Sequence, residues 1–442
     1  MNRRLYKRLV EWKSSRRRKP LLLRGARQTG KTFLLREFGR ERYDRVHYCN
    51  FEEDPRLDSL FERDLDPRRI LGELGLYLGN GIRPECDLII FDEVQTSNRA
   101  LNSLKYFQEQ AGEFHVAAAG SLLGVKMSTP GSFPVGKVNF LDLHPMSFME
   151  FLDAVGKSRY RSMLAALVAP EPLTEVFHAD LVALLRTYIF VGGMPEAVKH
   201  YAETGNAVEV REIQREILDS YVLDFAKHAP TSDIPKLTLI WNSIPRHLAR
   251  ENKKFVFAAL KRGARAREYE NALTWLEGAG IIHRCHATVC ARVPLEHYAD
   301  PACFKVYALD VGLLGALAKS PVDMMVRGQQ LFNEYEGALV ENYVAQQMVS
   351  EIQPELFYWR SKGWKAELDF LCEFDGKIVP LEVKAGLNPK SKSLRSFNDQ
   401  FHPDVLCRTS LLNLKLDGKT CNLPLYAVSQ LERFAEIASR AS

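Results

Sequence analysis

Residues 21–32 read LLLRGARQTGKT, and this stretch decides the class of fold. An apolar run turns through Gly25, passes four residues and arrives at Gly30-Lys31-Thr32. That is the form GxxxxGK[ST] of a phosphate-binding loop. The spacing serves the chemistry: glycines let consecutive backbone N–H groups curl around phosphate oxygens, and the following helix adds the partial positive charge of its N-terminus. Gly25, Ala26, Arg27, Gln28, Thr29, Gly30, Lys31 and Thr32, with Phe33 opening the helix FLLREF, are therefore the expected nucleotide contacts. Lys31 is expected to reach the β- and γ-phosphates, and the Thr32 hydroxyl to ligate Mg2+. An ordinary strand-to-helix turn could match by chance, but the apolar run before the loop and the helix after it argue against this.

Residues 87–95, DLIIFDEVQ, supply the second half of such a site. An apolar run ending in two acids describes a buried parallel strand whose carboxylates emerge at its C-terminal end, where ligands of open α/β sheets bind. Asp92 is expected to hold the Mg2+ shell, and Glu93 to orient or deprotonate the attacking water. FHVAAAGS at 114–121 gives another strand. Its Ser121 either senses the γ-phosphate or attacking water, or caps a helix.

A chain of 442 residues is long enough for two or three domains. Its net charge of +5 does not by itself point to nucleic acid. Basic residues are dense from Arg3 to Lys19 and again in KRGARAR at 261–267, and a solvated helix face or turn explains each. No leader and no membrane span are expected, since charge follows Met1 and no apolar run approaches the length of a span. The eight cysteines form no CxxC pair, which suits a reducing cytoplasm. His283, Cys285, His286 and Cys290 have the residue types for zinc, but on a strand 283 and 285 face away from 286 and 290.

Working outward, Leu5, Leu9 and Trp12 at helical spacing predict a helix over 3–17, ahead of a strand at 20–24. HYCNFEEDP from His47 reads as a second strand and its exit, and a helix is predicted near Ser147. The α/β core is expected to end at about 150. Residues 151–234 read as a long helical connector with TYIFVGGMPEAV at its centre. Gly192-Gly193 and Pro195 break it, as a tight helix–helix corner or as a corner that touches nucleotide. Residues 235–325 give helices followed by two apolar runs, the outline of a winged helix. Its third helix offers few outward basic residues, so base readout is not expected, and the basic turn before it could meet phosphates.

The last domain, 326–442, carries Glu341 on a helix, Asp369 in a strand and Glu382-Val383-Lys384 in the next strand. Residues 382 and 384 share a face because strand side chains repeat every second position. Glu341, Asp369 and Glu382 could then hold a second Mg2+ or Mn2+, with Lys384 orienting hydroxide or stabilising charge on a phosphate. The competing expectation is a scaffold whose acids sit in salt bridges.

The order LLLRGARQTGKT, LIIFDEVQ, AAAGSLL, FPVGKVNFLDLHPMSFMEFL and YIFVGGMPEAV resembles a group of largely uncharacterised prokaryotic AAA+ ATPases with a nuclease-like domain at the C-terminus. The resemblance implies an α/β chain: an AAA+ P-loop core with a parallel sheet over 1–150, a helical lid at 151–234, a winged-helix-like module at 235–325, and a restriction-endonuclease-like domain at 326–442. The last is similar to PD-(D/E)xK nucleases, with Leu368 where their motif name has proline. ATP, Mg2+, DNA and further copies of the chain are the implied cofactors and partners. A neighbouring subunit's arginine finger is implied too, with Arg99, Arg186 and Lys137 as candidates. The expected function is Mg-dependent ATP hydrolysis coupled to a DNA-acting nuclease-like domain, or else a nucleotide-dependent switch that recruits a protein and cuts nothing.

Overall fold

The computed structural model describes residues 3–121, 136–250, 252–321, 336–353, 355–363, 365–386 and 391–441. The chain divides into two compact units. One runs through His144 and takes in Gly278–Gly280; the other comprises Pro145–Glu277 and Ile281–Ser442. Among the described residues no helix is long and apolar enough to cross a membrane.

The N-terminal unit is built on β1 (Leu21–Gly25), β2 (Arg45–Asn50), β3 (Asp87–Asp92), β4 (His115–Ser121) and β5 (Asn139–Asp142). They lie in the order β2-β3-β4-β1-β5, with every neighbouring pair parallel. Parallel neighbours need crossover connections, and these place helices on both faces. Strand alternation sorts the core accordingly. Leu21, Leu23, Leu88, Ile90, Ala117 and Ala119 pack with Leu9 and Trp12 of α1 (Leu5–Ser14) and Leu34, Leu35 and Phe38 of α2 (Lys31–Arg42). Leu22, Ile89, Phe91, Val116 and Ala118 face the other way, against Ile70 and Leu74 of α3 (Pro67–Tyr77) and Leu101, Leu104 and Phe107 of α4 (Asn98–Gln110).

The C-terminal unit begins with helices: α5 (Phe148–Ala154), α6 (Ser158–Ala165), α7 (Glu175–Val191), α8 (Pro195–Thr204), α9 (Ala207–His228), α10 (Ile234–Leu248) and α11 (Ala266–Gly278). A capping box between Ser147 and Glu150 starts α5, where the helix was expected. Next come β6 (Ile282–Thr288), β7 (Ala299–Ala308), α12 (Val311–Leu317), α13 (Glu336–Glu351), β8 (Leu356–Arg360), β9 (Glu367–Phe374) and β10 (Lys377–Val383). The unit closes with α14 (Lys392–Phe401), β11 (Leu406–Ser410), β12 (Lys415–Asp417), β13 (Thr420–Pro424) and α15 (Leu431–Ala441). One mixed eight-stranded sheet runs β12-β13-β11-β10-β9-β8-β6-β7.

Of the two apolar runs expected as the wing of a separate module, IIHRC and the start of ATVCARV form the single strand β6, which pairs antiparallel with β7 and parallel with β8 from Cys285↔Leu356 to Thr288↔Trp359 and so belongs to this sheet. Residues on both sides of 325 thus contribute to one sheet. Apolar alternation announces strands but not their partners, and here the partner lies beyond β7, α12 and α13.

The Gly192-Gly193 corner is a packing device. Gly192 takes a positive φ of 75°. The Gly193 N–H donates to Asp310 Oδ2 at 2.6 Å, and a Cβ on Gly193 would lie 2.1 Å from the Met146 carbonyl oxygen. Asp310, fully buried, also accepts from Leu313 N–H at 2.9 Å and Gln346 Nε2 at 3.0 Å. Gln214 Nε2 donates to the Phe190 and Val191 carbonyls, at 2.9 and 2.8 Å. Side chains and backbone of this unit thus satisfy the corner.

Two outcomes are expected. Gly193→Ala should cost about 3 kcal/mol or more, the upper end for overpacking, because the added methyl meets backbone. Gly337→Ala, with nothing within 4 Å of its added Cβ, should be neutral or slightly stabilising; urea unfolding of both variants checks the contrast. The second concerns His115, buried on β4 with Nδ1 2.7 Å from the Tyr43 hydroxyl. Burial, reinforced by Arg18 and Lys13, depresses its pKa to about 4. Between that value and the unfolded value near 6.5 the unfolded chain binds the extra proton. Stability should therefore be lost as the pH is lowered from 6.5 toward 4, by up to roughly tenfold in the unfolding constant per unit, and His115→Phe should flatten the profile.

Candidate functional site

The nucleotide-binding candidates gather at the C-terminal ends of β1, β3 and β4. β1 ends at Gly25, where a Cβ would lie 2.3 Å from the Leu143 carbonyl oxygen, so only glycine fits. Gln28 (φ 62°) and Gly30 (φ 92°) adopt left-handed backbone as the loop turns into α2. Gly30 is the N-cap and offers no side-chain cap, which leaves the helix N-terminus suited to an anion. Lys31 is buried and its Nζ donates to the Gly25 and Ala26 carbonyls at 3.0 and 2.8 Å. Thr29 Oγ1 donates to Ala26 O at 2.9 Å, which tightens the turn. Arg27 lies in the same loop, and Phe33, on the first turn of α2, is exposed. Ser121 ends β4 as the register partner of Gly25.

Thr32 Oγ1 donates to Asp92 Oδ2 at 2.7 Å. These two oxygens, at a helix N-terminus and a strand C-terminus, are a hard donor pair that fits Mg2+. Glu93 follows with left-handed backbone (φ 49°), its N–H donating to Asp92 Oδ1 at 3.0 Å and its carboxylate accepting from Gln95 Nε2. Of the finger candidates, Arg99 pairs with Glu62 at 3.4 Å and Lys137 with Glu109 at 2.9 Å, while Arg186 lies on α7.

Sequence reasoning missed three residues here. Arg3 Nη1 donates to Thr29 O at 3.1 Å and so braces the loop. The Tyr48 hydroxyl donates to Asp92 Oδ2 at 2.8 Å. Gln95 holds Glu93 as described. Tyr48 was within reach of pattern reasoning, since it precedes Asn50 by one alternation and Asn50 is the register partner of Asp92.

In the C-terminal unit, β8, β9 and β10 fall where the sequence places FYWRS, AELDFLCEF and KIVPLEVKAG. The β9–β10 ladder runs from Lys377↔Phe374 to Leu381↔Phe370. Just beyond it, Asp369 Oδ2 accepts from Val383 N–H at 2.8 Å. Continuing that register sets Glu382 opposite Asp369, on one face. Lys384 Nζ pairs with Glu382 Oε1 at 2.7 Å, and the buried Glu382 Oε2 has no hydrogen-bond partner among the described residues.

Glu341 departs from expectation. It is buried on α13, and its Oε1 accepts from Lys305 Nζ at 3.1 Å and from the Tyr307 hydroxyl, its Oε2 from Lys253 Nζ. Lys305 also reaches Glu367 Oε1 at 2.8 Å and stands 3.9 Å from Asp369 Oδ1. Lysines thus stand against Glu341 and within 3.9 Å of Asp369, two of the three carboxylates the sequence suggested for a second metal. Among the described residues no three His, Cys, Asp or Glu are placed to hold one metal ion. Burial works to raise the Glu341 pKa, but Lys253 and Lys305 outweigh it and hold the group down to about 2. Burial, with Glu341 and Glu382 nearby, pushes Asp369 up to about 7. Burial works against the charge on Lys305, and the surrounding Glu341, Glu367 and Asp369 hold its pKa well above the usual range. The missed signal was Lys305 itself, a lone cation inside the apolar run CFKVYAL, which a buried strand tolerates only when paired.

Residues 17–152 match the model of an AAA domain. Residues 182–323 and 336–428 match two domains of unknown function, DUF8612 and DUF4143. No curated protein matches the chain. Among solved structures, the Walker-type ATPase PABY2304 of Pyrococcus abyssi is 15% identical over 72% of this chain and 95% of its own, with a TM-score of 0.46. The Aeropyrum pernix ORC1 protein, solved in complex with DNA, is 15% identical over 73% and 92%, with a TM-score of 0.30. The Thermotoga maritima RuvB Holliday junction branch migration motor is 14% identical over 64% and 90%, with a TM-score of 0.31. The N-terminal unit thus contains an AAA-type, P-loop ATPase-like domain, and a DUF4143 domain lies toward the C-terminus.

Proposed function

We propose that this chain is a Mg2+-dependent, ATP-hydrolysing AAA+ protein whose nucleotide cycle is coupled to a nuclease-like C-terminal domain. The observation that carries the ATPase reading is the 2.7 Å contact between Thr32 and Asp92 at the mouth of a GxxxxGK[ST] loop. Those two residues would hold Mg2+, which supplies positive charge to the β- and γ-phosphates. Lys31 would exchange its carbonyl partners for phosphate oxygens and offset charge that grows during in-line attack. The backbone N–H groups of 25–32 would bind the phosphates. Glu93 would orient that water and take its proton, once released from Gln95. Further copies of the chain would complete the site with a basic residue in trans.

Replacing Lys31 by Ala should lower ATP turnover by roughly a hundredfold or more, the scale for removing a charge-stabilising group. Glu93→Gln should keep nucleotide affinity while turnover falls. Phosphate release alongside fluorescent-nucleotide titration separates the two, and undiminished turnover in Lys31→Ala would refute the assignment.

For the C-terminal domain two readings follow from its residues. One is cutting of DNA at Asp369, Glu382 and Lys384 with a divalent cation. The other is recruitment of a partner without cutting, and the pairing of Glu341 with Lys253 and Lys305 favours it. Assays with Mg2+ or Mn2+ on single- and double-stranded DNA and RNA should then show no cleavage. Cleavage lost in Lys384→Ala would establish the cutting reading instead.

A further inference from the structure

Both oxygens of Glu341 are taken by cationic side chains from outside its helix. Lys305 comes from β7 and is 0% exposed, so its ammonium cannot swing into water without disrupting the sheet. It contacts Glu341 at 3.1 Å and Glu367 at 2.8 Å, with Asp369 at 3.9 Å. Lys253, between α10 and α11, closes on the other Glu341 oxygen, and Lys384 answers Glu382 at 2.7 Å. Four carboxyl groups thus face three ammonium groups. A divalent ion liganded by Glu341 would displace two ammonium groups already in contact. It would leave Lys305 beside it in a low-dielectric interior, where like charges repel strongly.

We propose that Lys305, with Lys253, is the resident cation of this site. The pair supplies at Glu341 the positive charge that a metal would supply, and so staples α13 to β7 and β9 without a metal. The proposal rests on the recruiting reading of the C-terminal domain and deepens it: the carboxylate cluster is an ion-paired structural joint. It also gives that pairing a latent consequence, since removing a lysine should expose a set of oxygens able to take a hard cation.

The test is Mn2+ titration, followed by electron paramagnetic resonance, of the nucleotide-free full chain carrying Asp92→Asn, so that the phosphate-binding loop adds no cation site. The lysine-paired parent should bind no stoichiometric Mn2+ at millimolar free ion, and its melting temperature should be the same in EDTA and in Mn2+. Lys305→Met should melt lower and recover with Mn2+, binding it at least about tenfold tighter than the parent. Should that variant not fold, Lys253→Met, which frees one oxygen of the buried Glu341, should also gain Mn2+ affinity; no gain there would count against the proposal. Stoichiometric Mn2+ binding by the parent, abolished by Glu382→Gln, would overturn it. That result without nuclease activity leaves the recruiting reading standing, whereas with cleavage it removes both.

Discussion

The C-terminal unit depends on the burial of Asp310. A carboxylate taken fully out of water is tolerable only when donors surround it, and here they come from three places in the sequence: Gly193, Leu313 and Gln346. Each donor deprived of this partner would cost about 1–3 kcal/mol in a buried setting. The constraint explains local details that otherwise look unrelated. Gly192 must be glycine because a Cβ there would lie 2.2 Å from Asp310 Oδ1, and Gly193 must be glycine because Met146 closes over it. Tyr188 completes the arrangement, its hydroxyl accepting from Gln346 Nε2 at 3.0 Å and Gln347 Nε2 at 3.2 Å. Helices α7, α12 and α13 meet through this one group.

The N-terminal unit is organised by a different economy. Its sheet is buried on both faces, so β3 reads as continuous apolar residues between Asp87 and Asp92, all of them inaccessible. The candidate site is confined to strand ends, where buried backbone gives way to polar side chains. Thr32, Tyr48 and Asp92 share a single carboxylate oxygen as their meeting point. That convergence fixes the Asp92 rotamer before any ligand arrives, which is the pre-organisation that phosphate chemistry rewards.

What could be read beforehand followed from locality. The loop, the strand ending in Asp92-Glu93 and the strands around Glu382 are each encoded within a dozen residues, by glycine placement, apolar runs and period-two alternation. Arg3, Tyr48 and Gln95 escaped because their roles consist of contacts with residues elsewhere in the fold. The carboxylate site shows the same limit more sharply. Glu341, Asp369, Glu382 and Lys384 satisfy a motif, yet Lys253 and Lys305, remote in sequence, change what the motif can do. A pattern of ligand types records the acids and is silent about the bases that neutralise them.

The hairpin β6–β7 carries a further meaning. Its outer strand forms the edge of the eight-stranded sheet, and its inner strand hides the flank of β8, a strand made almost wholly of buried residues. A chain severed between β7 and β8 would bare that flank along LFYW, an apolar edge of the kind that seeks other strands. The helical connector with its hairpin and the terminal domain thus share one sheet, and separating them would leave each with an unpaired strand flank.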